Sequence, residues 1–265
     1  MVRLDNISRS FGGVQAVNGL SFETREGEIF ALLGPNGAGK TTSIKMILGM
    51  LKPDSGSIFF QGNQIDPGND NHYKTRIGYV PENCALYESL TGSEYLNFVG
   101  QLHHLDPDIM RTKINRLLQL VGLGEAARKL IRDYSKGMKQ RILIVSALLH
   151  DPDLLILDEP FSGLDASAVL MFKELLREEV KKEKTVIFCS HILEVVERLV
   201  DRILVIHNGR ALVTGTPDEI IRKTGHVSLD RAFNELTGGV DTDAQARELI
   251  DIIRKSETDE GRADG

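Results

Sequence analysis

Cysteine is nearly missing from this sequence. The 265-residue chain holds two, Cys84 and Cys189. Two thiols without a short spacing build neither a disulfide framework nor a zinc site, so a reducing compartment is expected. Cys189 sits in the apolar run TVIFCS and reads as a core residue. Long apolar runs are also lacking: none approaches the ~18–20 residues that cross a bilayer. Any membrane-spanning part is therefore expected on another chain. The stretch MVRLDNISRSFGG has no apolar centre of the kind a secretory signal needs. There is no basic excess either. The formal net charge is -6, which argues against a nucleic-acid binder, because such proteins present a positive field. What is present is 41% hydrophobic residues, enough for a sizeable core in one large domain or two small ones.

The first 65 residues read as strands and turns, then one strand feeding a helix. VRLDNIS and NGLSFET are β-like runs flanking a Gly-Gly turn, and EIFALLG is a continuous buried strand. TTSIKMILGML carries Ile44, Ile47 and Leu48 at helical spacing. SIFFQGNQI is a further strand region after the turn KPDSG. From about residue 83 to 150 helices dominate. Thr91 and Glu94 form a capping box, Asp106-Pro107 opens a second helix that Gly122 ends, and YSKG opens a third. Strands and helices then alternate through LLILDE, a helix from about Ser167, TVIFCS and ILEVVERL, which implies a parallel sheet with right-handed crossovers. Asn208-Gly209 signals a type I′ hairpin. TDAQARELIDIIRKS is a late amphipathic helix with Ala246, Leu249, Ile250 and Ile253 on one face, ahead of an acidic tail expected to be disordered.

Three patterns carry chemistry. GPNGAGKT, residues 34–41, matches the phosphate-loop pattern, with a buried strand before it and a helix after it. The glycines let backbone N–H groups turn inward at phosphate oxygens, and the helix N-terminus adds its positive end. Lys40 is expected to reach the β- and γ-phosphates and Thr41 to ligate Mg²⁺. LLILDEP places Asp158 and Glu159 where a buried strand ends. Adjacent acids there call for a cation, which fits Mg²⁺ at Asp158; strand alternation turns Glu159 the other way, where it can act as general base on water. Ser190-His191 follows TVIFC at the carboxyl edge of a parallel strand, where ligands bind in open α/β sheets, and His191 is expected on the γ-phosphate. YSKGMKQR, residues 134–141, is unusual: Ser135 is a good N-cap, yet Lys136 puts a cation where the helix dipole is already positive. An anion arriving from outside would resolve that conflict.

In this order the motifs resemble those of the ATP-binding subunit of an ATP-binding-cassette (ABC) transporter, over roughly residues 2–236. GPNGAGKTT is similar to the family's first nucleotide motif, YVPEN lies where its glutamine loop falls, YSKGMKQR occupies the signature, and LLILDEP, SGLD and SHI follow. The resemblance implies an α/β fold: a P-loop NTPase core with a mostly parallel sheet, an N-terminal antiparallel β subdomain and a helical subdomain inserted at about 83–150. Residues 237–265 follow as a C-terminal helix and tail. It implies an ATPase with ATP and Mg²⁺ as cofactors, in which two copies sandwich two nucleotides head to tail. Each nucleotide would meet the phosphate loop of one copy (Gly34, Pro35, Asn36, Gly37, Ala38, Gly39, Lys40, Thr41, Thr42) and the signature of the other (Ser135, Lys136, Gly137, Met138). Phe11 and Ala16 would lie at adenine. Ser162, Gly163, Leu164 and Asp165 would cross the interface beside Glu159. Metal ligands would come from Thr41, Glu82 and Asp158. The partner implied is a separately encoded membrane permease, at the cytoplasmic face of the membrane, with the exporter-like branch suggested by YVPENCALYESLTGSEYL and SLDRAFNELTGG. Two departures stand out: Lys136 and Met138 replace the usual Gly and Gln, and Glu82 replaces the loop glutamine. The alternatives are a soluble ABC ATPase acting on ribosomes or DNA, and a regulatory module without useful hydrolysis. The first would usually bring two cassettes or a long coiled-coil insert, and neither is present.

Overall fold

The computed structural model describes residues 1–67, 72–83, 86–190 and 192–239, with helical residues 245, 247, 249, 250, 252 and 253 beyond them. Two strands, β1 (Val2–Phe11) and β2 (Val14–Glu23), are joined at Gly12-Gly13. β3 (Ile29–Leu33) leads through a glycine-rich loop into α1 (Lys40–Ile47). The single strand region expected over SIFFQGNQI is a hairpin of β4 (Ser55–Phe60) and β5 (Asn63–Ile65). Its turn residues Gln61 and Gly62 both have positive φ, 49° and 80°, which breaks the run.

β6 (Ile77–Val80) precedes three helices: α2 (Gly92–Leu102), α3 (Pro107–Leu120) and α4 (Lys136–Leu148). The capping signals act as read. Thr91 and Glu94 bond reciprocally, Asp106 accepts from the N–H groups of Asp108 and Ile109, and Gly122 follows α3 at φ 72°. The alternating part comprises β7 (Leu154–Asp158), α5 (Ala166–Lys181), β8 (Thr185–Cys189), α6 (Leu193–Leu199), β9 (Arg202–His207) and β10 (Arg210–Gly215). α7 (Pro217–Thr224) and α8 (Leu229–Leu236) close the described core.

The strands form two sheets. One is antiparallel, in the order β2-β1-β4-β5; the other runs β10-β9-β3-β8-β7-β6, parallel throughout except for the β9–β10 hairpin. β3, β7 and β8 are buried at every position, as strands covered on both faces must be. Their carboxyl ends therefore point the same way, and the loops after them meet along one edge of the sheet. Among the described residues no helix is long and apolar enough to cross a membrane. Leu249, Ile250 and Ile253 are exposed, and Ala246 lies outside the described residues.

Candidate nucleotide site

At the carboxyl edge of the parallel sheet lies a cleft of about 720 Å³. It is bordered by Gly34 and Asn36–Gly39 of the loop before α1, by Lys40, Thr41 and Thr42 at the start of that helix, by Glu82, and by Asp158 and Glu159 at the end of β7, with Ala16 beside them. Two glycines are required by the way the loop is built. A Cβ on Gly34 would meet the Ile206 carbonyl oxygen at 2.3 Å, and Gly39, at φ 106°, is pressed against the Ala16 carbonyl. Gly37, by contrast, faces open space, which leaves backbone free to meet a ligand. Lys40 Nζ donates to the carbonyl oxygens of Gly34 (2.5 Å) and Pro35 (3.1 Å). The ammonium is thus held over the loop by weak acceptors that a phosphate would outcompete, since charge-assisted bonds are the stronger ones.

Asp158 is 4% exposed. Burial raises its pKa to about 6, helped by the nearby charges of Glu82 and Glu159, while Lys40 and the Thr41 hydroxyl pull it back. Burial also lifts Tyr79, in the strand beside β7, to about 12, with Asp158 adding to the effect. The pocket is therefore short of positive charge around one buried carboxylate. Its donors are oxygens, the hard set that Mg²⁺ takes alongside waters and phosphate, so the residues present fit that ion. Among the described residues no cluster of three or more acidic, His or Cys side chains is arranged to hold a metal ion.

Strand alternation would have sent Asp158 and Glu159 to opposite faces; instead both border the cleft. The cause is local. β7 ends at Asp158, and Glu159 takes φ 51°, which swings its side chain back. The turn is fixed by Glu159 N–H donating to Cys189 C=O at 2.9 Å and by Ser190 Oγ donating to Glu159 Oε2 at 3.2 Å. Ser190 thereby joins the site as a residue that sequence reasoning left without a role. His191 lies outside the described residues. Phe11 is 47% exposed at the β1–β2 turn, with the Arg9 guanidinium 5.0 Å from its ring centre, and is not among the residues bordering the cleft.

The second motif is elsewhere. Ser135 caps α4, accepting from Met138 N–H at 3.3 Å, and both Ser135 and Lys136 are exposed. None of Ser135, Lys136, Gly137 and Met138 borders the cleft. At this helix N-terminus the Lys136 ammonium donates to Ser162 Oγ at 2.8 Å.

A glycine-rich loop between a buried parallel strand and a helix, opposed by an acidic strand end, defines the class as a P-loop nucleoside triphosphatase. The comparisons narrow it. The family model described as ABC transporter matches residues 17–162. An uncharacterized ABC transporter ATP-binding protein of Nostoc sp. is 42% identical over 218 residues, which cover 81% of this chain and 64% of that protein. The Nod factor export ATP-binding protein I of Ralstonia nicotianae is 38% identical over 221 residues, covering 83% and 68%. A solved structure of an ATP-binding subunit of an ABC transporter superposes with a TM-score of 0.82 at 34% identity, over 89% of this chain and 99% of that one. The chain belongs to the ABC transporter family, and within it to the ATP-binding subunits.

Proposed function

We propose that two copies of this chain close head to tail on two ATP molecules, hydrolyse them, and so drive a separately encoded membrane-spanning permease in the export direction. The observation that carries this reading is the division of the site. The cleft has a phosphate loop, an acidic strand end and a candidate base, while the capped N-terminus of α4, with its cation, does not border that cleft. A helix N-terminus carrying Ser135, Lys136 and Gly137 suits a phosphate, and a second copy would bring one. The export direction is supported by the likeness to a Nod factor export protein. A permease partner follows from the family and from the lack, among the described residues, of any helix that could span a bilayer; the chain would then sit peripherally at the cytoplasmic face. The -6 charge disfavours the ribosome- or DNA-directed alternative.

In this reading residues 1–236 form the ATP-binding domain, with the helices of about 83–150 as its subdomain. Phe11 and Ala16 would flank adenine, Phe11 from its exposed turn. Lys40 and the loop N–H groups hold the phosphates in line with an attacking water, which contributes by positioning. Glu159 takes the proton of that water, and His191 steadies the γ-phosphate. Thr41, Asp158 and Glu82 would hold Mg²⁺, which when bound neutralises charge on the phosphate oxygens. Ser162, Gly163, Leu164 and Asp165 would lie along the seam between copies.

Glu159→Gln is the test. It is expected to keep ATP affinity, lose about 10²–10⁴-fold in turnover and accumulate ATP-bound dimers on size exclusion. Near-normal hydrolysis would remove Glu159 as the base, and a strictly monomeric elution with ATP would remove the shared nucleotide.

A further inference from the structure

Glu159 is tied twice to consecutive residues at the end of β8. Its N–H donates to the Cys189 carbonyl at 2.9 Å, and its Oε2 accepts from Ser190 Oγ at 3.2 Å. Asp158, the residue before it, is the register partner of Cys189, so the two strand ends stay side by side. The backbone tie helps hold Glu159 at φ 51°, a conformation that a non-glycine residue keeps only where its surroundings over-determine it. Main-chain bonds do not aim a carboxylate, however. A Glu side chain turns about three bonds, and fixing them costs up to about 1.5–2 kcal/mol of rotamer freedom.

Ser190 is built to supply that aim. It is 6% exposed. A hydroxyl has one proton to give and lone pairs that accept. Here the Ile192 N–H donates to Ser190 Oγ at 3.1 Å. The rotor is thereby held from behind by backbone, and its proton goes to Glu159. The carboxylate needs the restraint because it stands among like charges. Glu82, Asp158 and Glu159 border one cleft, and the charge of Glu159 is felt at Asp158. Like charges at this range repel, which would turn an unrestrained Glu side chain toward solvent. Ser190 is not among the residues bordering the cleft, so its hydroxyl meets the carboxylate rather than the nucleotide.

We propose that Ser190 is the positioning residue for the base: its hydroxyl, clamped by the Ile192 N–H, sets the rotation of the Glu159 carboxylate against repulsion from Asp158 and Glu82. This role rests on the reading of Glu159 as base and deepens it by naming the group that aims that base. The proton taken from water goes to Glu159, and the Ser190 proton stays on Oγ throughout.

The experiment is a double-mutant cycle in ATP hydrolysis by the full chain: the parent, Ser190→Ala, Glu159→Gln and the double variant, followed with radiolabelled ATP so that slow rates are read. ATP affinity of each is measured by equilibrium binding. A positioned base supplies about 10²–10⁴-fold, and a misaimed one keeps part of that, so Ser190→Ala is expected to lower kcat about tenfold. KM and ATP affinity should stay within about twofold, as for a group that acts only in the chemical step. On the Glu159→Gln background the same substitution should change the residual rate by less than about twofold, because the group it acts through is already gone. A merely structural role would slow both backgrounds alike, and equal losses across the cycle would overturn the assignment. So would parent-like kcat in Ser190→Ala. Should Ser190→Ala not fold, Ser190→Cys, close in size and a weaker donor, replaces it in the cycle, with an expected loss of about threefold or more. Near-normal turnover by Glu159→Gln is a separate result: it removes the base itself, and with it the reading on which the role of Ser190 stands.

Discussion

At the scale of single residues, Asp158 shows a site built at the expense of stability. Its folded pKa of about 6 lies above its ordinary 3.8. The folded state therefore disfavours the charged carboxylate, and the cost grows as pH rises from 3.8 to 6, reaching at most about 3 kcal/mol above that. Below 3.8 both states are protonated and the cost vanishes. Asp158→Asn mimics the neutral form. Without nucleotide or Mg²⁺ it is expected to melt higher than the parent at pH 7, by about 1–3 kcal/mol, with the gap closing as pH falls toward 4, while hydrolysis collapses. Thermal melts of both chains across that pH range check the sign; a variant less stable at pH 7 would mean the carboxylate is favourably paired. Cys189, buried beside Asp158, has its thiol pushed well up by that burial. It is an inert core residue, as its apolar run suggested.

At the scale of elements, what was legible in the sequence depended on how far apart the interacting residues stand. The Thr91 capping box, the Ser135 cap and the Asn208-Gly209 turn are written within four residues, and each forms. The phosphate loop was equally plain because its glycines answer to contacts the motif always makes. β6 left no comparable trace: it is four residues long, and its register partner Leu154 lies far from Ile77 in sequence. The swing of Glu159 depends on the Cys189 carbonyl across the sheet, and Gln140 of α4 donates to the Pro160 carbonyl at 2.8 Å; no local period announces either. The joint of α2, α4 and β6 is another such non-local feature. The His150 ring stacks on that of His103 at 3.7 Å and its Nε2 meets the Ile77 carbonyl at 3.2 Å. Burial, then the His103 charge, depresses His150 to about 4. Its unfolded form takes up a proton near 6.5, so this joint loses stability as pH falls from 6.5 to 4, by about 1–3 kcal/mol for a half-buried ring. His150→Phe keeps the stack and removes the titration. Urea midpoints of the variant should fall less steeply over that interval, and an unchanged slope would assign the acid sensitivity elsewhere.

At the scale of the whole molecule, the division between the cleft and the N-terminus of α4 can be tested by mixing chains that are each inactive. Lys40→Ala removes the ammonium that cradles phosphate and should weaken ATP binding. Ser135→Glu sets a carboxylate against the incoming triphosphate and should block dimer closure while leaving ATP affinity intact, because Ser135 does not border its own chain's cleft. A mixed pair, however, contains one undamaged site: the phosphate loop comes from the Ser135→Glu chain and the signature from the Lys40→Ala chain. Random pairing makes half of the dimers mixed, each with one good site of two, so an equal mixture can recover up to about a quarter of the parent activity in an isologous dimer. Recovery of up to about a quarter of the parent activity is the expected result. Parent-like activity of the Ser135→Glu chain alone, with no gain on mixing, would mean that each chain completes its own catalytic site.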